Sequence, residues 1–147
     1  MPAERPTIAS YPYVTSITTR WMDNDIYGHI NNVAYYSFFD TAANRFLIEQ
    51  GGLDIANASS IGLVVESKCV YHAELTYPQT LRAGVRVDKL GNRAVTYGIA
   101  IFSERDDRAA AHGHFVHVFV ERATRTPTPI PDRLRSALAS IAVEESR

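Results

Sequence analysis

Between Arg20 and Tyr35 the chain reads RWMDNDIYGHINNVAY, which sets Asp23, Asp25, Gly28, His29, Asn31 and Asn32 within ten positions. Carboxylates can deprotonate water or attack an acyl carbon directly, and an imidazole can carry a proton near neutral pH. Gly28 permits a backbone turn and a close substrate approach that a side chain would obstruct. Asn31 or Asn32 is placed to cap the helix that follows. The loop therefore points at a helix N-terminus, where free N–H groups and the positive end of the dipole stabilise negative charge. An attacked carbonyl oxygen develops such charge, so acyl transfer fits this set. Each residue also has a plainer role: an aspartate in such a loop often forms an Asx-turn or cap, and His29 could simply brace the loop. A calcium loop starting at Asp23 fails, because Tyr27 stands at the fifth loop position, the third ligand, and Ala34 at the twelfth.

The elements around this loop can be read from periodicity. YVTSITTRW, Tyr13 to Trp21, is rich in β-branched and aromatic residues and reads as a strand entering the loop. From about Asn31 to Gln50, apolar residues including Val33, Tyr35, Phe38, Phe39, Ala42, Phe46 and Leu47 recur at three- and four-residue steps. Gly51 and Gly52 stop the run. So broad an apolar surface implies burial on most sides, as if a sheet curled around the helix. Four β-like runs follow, read as hairpin-like neighbours over Glu66–Leu75, Leu81–Leu90, Ala94–Ser103 and Ala110–Arg122. The first alternates a wet and a packed face, and the last is apolar on both. A Pro-rich connector leads to a short amphipathic C-terminal helix carrying Leu134, Leu138 and Ile141, with Pro131 near its first turn. The layout is α+β: an antiparallel sheet of about five strands around one long helix, in a single domain over residues 1–147 with a loose lead-in at 1–12.

RWMDNDIYGHINNVAY, together with AELTYPQTLRAGVRVDKLGNRAVTY (73–97) and FVHVFVERATRTPTPIP (115–131), resembles the 4-hydroxybenzoyl-CoA thioesterase-like family of hotdog-fold acyl-CoA thioesterases. The resemblance implies Asp25 as the catalytic carboxylate and a polarising backbone N–H near Asn32, with Gly28 and His29 in the same loop. Tyr27, Asn31 and Tyr35 become the candidate substrate contacts. It implies an acyl-CoA substrate, no cofactor and no metal. It also implies self-association as a homodimer or homotetramer, with sheets joined side by side and acyl sites at the subunit boundary. Relatives often carry serine near the position of Ala94, so any contact made by that hydroxyl is missing here.

Other classes receive less support. A formal net charge of −1 with scattered Lys and Arg offers no stripe for a nucleic acid backbone. No apolar run reaches the roughly 18–20 residues of a membrane span, and the N-terminus lacks a basic segment followed by an apolar one, so a cytoplasmic address is expected. Lone Cys69 reads as a small buried hydrophobe. HGHFVH invites a zinc reading, but strand parity sends His112 and His114 to one face and His117 to the other. His72 reads as a solvated surface residue. Asp40, on the long helix, is the alternative catalytic carboxylate. The competing activities are a hotdog hydratase or dehydratase using Asp25 with His29, and a non-catalytic acyl-binding module.

Overall fold

The computed structural model describes residues 4–143. Its elements are β1 (Tyr13–Thr18), α1 (Asn32–Glu49), β2 (Ser60–Tyr71), β3 (Thr80–Leu90), β4 (Ala94–Phe102), β5 (Ala111–Glu121) and α2 (Asp132–Ser140). All five strands form one antiparallel sheet in the order β1-β3-β4-β5-β2. One face of it carries α1, the sheet-around-helix arrangement of the hotdog fold. Tyr35, Phe38, Phe39, Ala42, Ala43, Phe46 and Leu47 are the buried side of that helix. Opposite them lie Leu81, Val85, Val87, Tyr97, Ile99, Phe115 and Phe119. Each large side chain so buried contributes about 1.5–3 kcal/mol. This packing, rather than helix propensity, holds α1 in place.

Several expectations need correction. The first strand ends at Thr18, because Trp21–Asp23 turns into a short 3-10 helix. The strand expected over Glu66–Leu75 runs instead from Ser60 to Tyr71, with a bulge between Val64 and Glu66. It is not a hairpin neighbour of β3 but crosses to the far edge and pairs with β5. As an edge strand only partly overlain by α1, it leaves Val64 and Val65 exposed, so one face is not simply wet and the other packed. The helix is not enclosed either: Val33, Ser37, Asp40, Thr41 and Ile48 face outward. The lead-in expected to be loose is seated from Arg5 onward. Arg5 donates to the Ala109 carbonyl, and Tyr11 packs its ring on Phe102 and under Arg86, on the sheet face away from α1. Met1 to Ala3 lie outside the described residues.

The three histidines of HGHFVH go to three different partners, as strand parity requires. His112 meets His72, His114 meets Glu66, and His117 turns inward to the Tyr97 hydroxyl at 3.1 Å. A Cβ at Gly113, between the first two, would run into the Lys68 carbonyl, so β2 and β5 approach too closely there for a side chain. Burial lowers the His117 imidazole to about 4 from an ordinary 6.5. Between those values the unfolded chain binds more protons than the folded one. Stability is therefore full above about pH 6.5 and declines as pH falls toward 4. The gap corresponds to about 3 kcal/mol at the acid end. His117→Gln keeps a partner for Tyr97 and does not titrate. In that variant the stability lost between about pH 7 and pH 4, measured by urea unfolding, should shrink by about that amount.

Candidate active site

The loop from Asn24 to Asn31 is folded by its own polar groups. Asp23 is buried and closes the 3-10 turn, accepting the Arg20 backbone N–H at 2.7 Å and the Arg20 guanidinium at 2.9 Å. Its carbonyl receives the Asn31 N–H at 2.7 Å. Asp23 is thus the structural member of the pair. Asp25 has a different environment: its N–H donates to the His29 carbonyl at 2.9 Å, and its Oδ1 accepts the Tyr27 N–H at 2.9 Å in an Asx-turn. Its Oδ2 has no protein partner among the described residues. Gly28 makes this loop possible with φ of +81°, a conformation costly for residues with a Cβ.

The helix start is equally specific. Asn31 is the N-cap, its side-chain oxygen accepting the Val33 N–H at 3.0 Å. The Ala34 N–H goes to the Asn31 carbonyl at 2.9 Å. That leaves the Asn32 N–H without a protein acceptor among the described residues. The first turn carries no acidic residue, so no side-chain charge of its own offsets the positive end of the dipole.

Asp25 and Asn32 line one cleft of about 580 Å³, together with Tyr27, His29, Tyr35 and the end of β2. Tyr35 is buried, and burial pushes its hydroxyl up to about 12. Tyr27 stands at the rim, 78% exposed. Asn31 and Gly28 shape the loop and are not among the residues lining the cleft; the Asn31 side-chain oxygen is engaged in helix capping. Asp40 is elsewhere, accepting from Asn44 at 3.0 Å beside a second hollow on the outer side of α1.

Sequence reasoning missed the second wall. Tyr71, His72 and Glu74 line the cleft from the far end of β2 and beyond. The Glu74 carboxylate meets His29 Nε2 at 3.0 Å, and the Ile30 N–H donates to the Leu75 carbonyl at 2.8 Å. The His29 imidazole therefore pairs with Glu74, while the His29 backbone N–H reaches Asp25 Oδ1 at 3.5 Å. His72 Nε2 and His112 Nδ1 lie 2.7 Å apart in rings inclined by 2°. Burial lowers the pKa of both, with Arg5 adding to the effect at His72, and His72, Arg86 and Lys68 adding to it at His112. Nothing local in the sequence marks these residues, since forty or more positions separate them from the loop.

The model of the thioesterase-like superfamily matches residues 19–138, from the end of β1 into α2. The chain belongs to the thioesterase-like superfamily. It is accordingly a thioester hydrolase. A solved protein of Pseudomonas aeruginosa is 52% identical, with a TM-score of 0.94 over 97% of this chain and 99% of its own. Another from the same organism, suggested to be a thioesterase, is 27% identical with a TM-score of 0.81 over 87% and 98% of the two chains. The 1,4-dihydroxy-2-naphthoyl-CoA thioesterase of Synechocystis shares 14% identity and a TM-score of 0.78 over 88% and 96%, a likeness of fold alone. No curated protein matches the chain. Among the described residues there is no helix long and apolar enough to cross a membrane.

Capping by Asn31 can be separated from substrate contact. Asn31→Ala should lower stability by about 1 kcal/mol, while Asn31→Asp, which keeps an acceptor on the Val33 N–H, should not. Thermal unfolding of the two variants is the measurement, and equal losses would remove the cap from the account.

Proposed function

We propose that this protein hydrolyses an acyl-CoA thioester to the free acid and coenzyme A. Asp25 serves as the carboxylate and the Asn32 N–H as the oxyanion donor. The observation that carries the reading is that Asp25, with one carboxylate oxygen unpartnered, and Asn32, with its helix-terminal N–H unpartnered, in each case among the described residues, line one cleft. The thioester carbonyl oxygen would face the helix tip, where the charge formed on attack is stabilised by a preorganised donor. Asp25 either takes a proton from the attacking water and passes it to the departing sulfur, or attacks the acyl carbon itself. The second route expels the thiolate and forms a mixed anhydride that water then hydrolyses, with the water's proton going to the thiolate. His29, tied to Glu74, and Gly28 keep the loop in shape. Tyr27 and Tyr35 supply aromatic surface for the acyl group.

The same reading takes residues 1–147 as one hotdog domain in the cytoplasm, working as a homodimer or homotetramer. The long free edge of β2, with Val64 and Val65 exposed, supports sheets joined side by side at that edge. An unpaired strand edge exposes N–H and C=O groups that a second copy can satisfy.

Asp25→Asn keeps the size and most hydrogen bonding of the side chain but removes its basicity. Its kcat on acyl-CoA substrates, followed by thiol release, should fall by a factor on the order of 10²–10⁴ with little change in KM. Wild-type turnover in that variant would take Asp25 out of the mechanism. Incubation with crotonyl-CoA tests the hydratase alternative: loss of the enoyl absorbance without release of thiol would favour it.

A further inference from the structure

The tip of α1 is the least supported part of that helix. Asn32 is exposed and Val33 is 68% exposed, whereas the buried stripe begins only at Tyr35. The middle and far end of α1 are tied to β1, through Arg45 to Thr15 and Ser16 and through Tyr13 to Glu49. Among the described residues, one hydrogen bond joins a strand to the first turn: the Tyr71 hydroxyl donates to the Asn32 carbonyl at 3.1 Å. We infer that Tyr71 is a positioning residue for the oxyanion donor, fixing the first turn of α1 so that the Asn32 N–H is aimed at the thioester carbonyl. This rests on the reading of the cleft given above.

Three features make the hydroxyl suited to that task. Its ring stands edge-on to Tyr35, with centroids 5.1 Å apart and planes at 84°, so the phenol is held by the same residue that begins the buried side of the helix. Burial, with Cys69 alongside, pushes the pKa of Tyr71 upward, so the hydroxyl stays protonated and keeps donating. Its backbone is anchored in turn. Tyr71 pairs with Ala111, and immediately after it the N–H groups of His72 and Ala73 both donate to the Ala110 carbonyl, at 2.8 and 3.0 Å. The path therefore runs from β5, at the sheet interior, through the end of β2 to Asn32, whose N–H has no acceptor among the described residues. A donor aimed in advance needs no reorganisation when charge forms, so loosening the aim affects the transition state more than the bound substrate.

Tyr71→Phe keeps the ring and removes only the donor. Its kcat for acyl-CoA hydrolysis should fall about tenfold, the scale of one lost hydrogen bond, with KM and the affinity for a non-hydrolysable acyl-CoA thioether within twofold of wild type. Replacing Tyr71 with 3,5-difluorotyrosine, which ionises at lower pH, should add an alkaline fall in kcat that wild type lacks. A kcat within twofold of wild type in Tyr71→Phe would overturn the proposal. So would a rise in KM at constant kcat, a loss of activity that merely tracks a loss of folded protein, or no new alkaline limb. Asp25→Asn assayed in parallel separates the two levels. If that variant is inactive while Tyr71→Phe is not, only the positioning role falls; if it retains full turnover, the reading of the site falls with it.

Discussion

Asn31 takes the N–H of Val33 and leaves that of Asn32 unsatisfied, and the rest of the site depends on this division. A helix start exposes four N–H groups, and a capping side chain ordinarily accepts from the second or third helical residue, which leaves the first free to meet another acceptor. Here the carboxamide reaches over the first N–H to the second. The first turn also lacks an acidic side chain that would draw off the positive end of the dipole. The tip is thus stable as a helix terminus and still has a donor available.

The two aspartates divide the loop's work along the same lines. Asp23 is buried and takes both the backbone and the guanidinium of Arg20, which holds the chain where it leaves β1. Asp25 is held through one oxygen, by the Tyr27 N–H at 2.9 Å and the His29 N–H at 3.5 Å, and lines the cleft. The positive φ of Gly28 allows the loop to close between Asp25 and His29 within five residues. Local hydrogen bonds therefore give the two carboxylates different surroundings.

Local bonds do not hold the loop against the sheet. That depends on residues 71–75, which leave β2 beside β5 and meet the loop with a phenol, a carboxylate and a backbone carbonyl. The strand order puts them there: β2 crosses to the far edge, and antiparallel pairing with β5 brings its end level with the helix tip. The open side of α1 and the free edge of β2 follow from the same order, since a five-stranded sheet covers one side of a helix and ends in two edges.

The sequence by itself determined the kinds of the elements and their order along the chain, the apolar stripe of α1, the opposite faces of His114 and His117, and the loop where polar and titratable side chains are concentrated. These rest on periodicity, capping residues and turn residues, which act over a few positions and can be read from neighbours. It also carried the motif that marks the family. The tertiary structure decided what depends on residues distant in the chain. The second wall of the cleft, the His72–His112 pair, the true course of β2 and the seating of Tyr11 all join residues far apart in the chain. It also set apart the surroundings of Asp23 and Asp25, one buried against Arg20 and the other beside the cleft, and showed Asn31 as the cap. Residue type is the same in each such choice, and only burial and hydrogen-bond partners distinguish the roles.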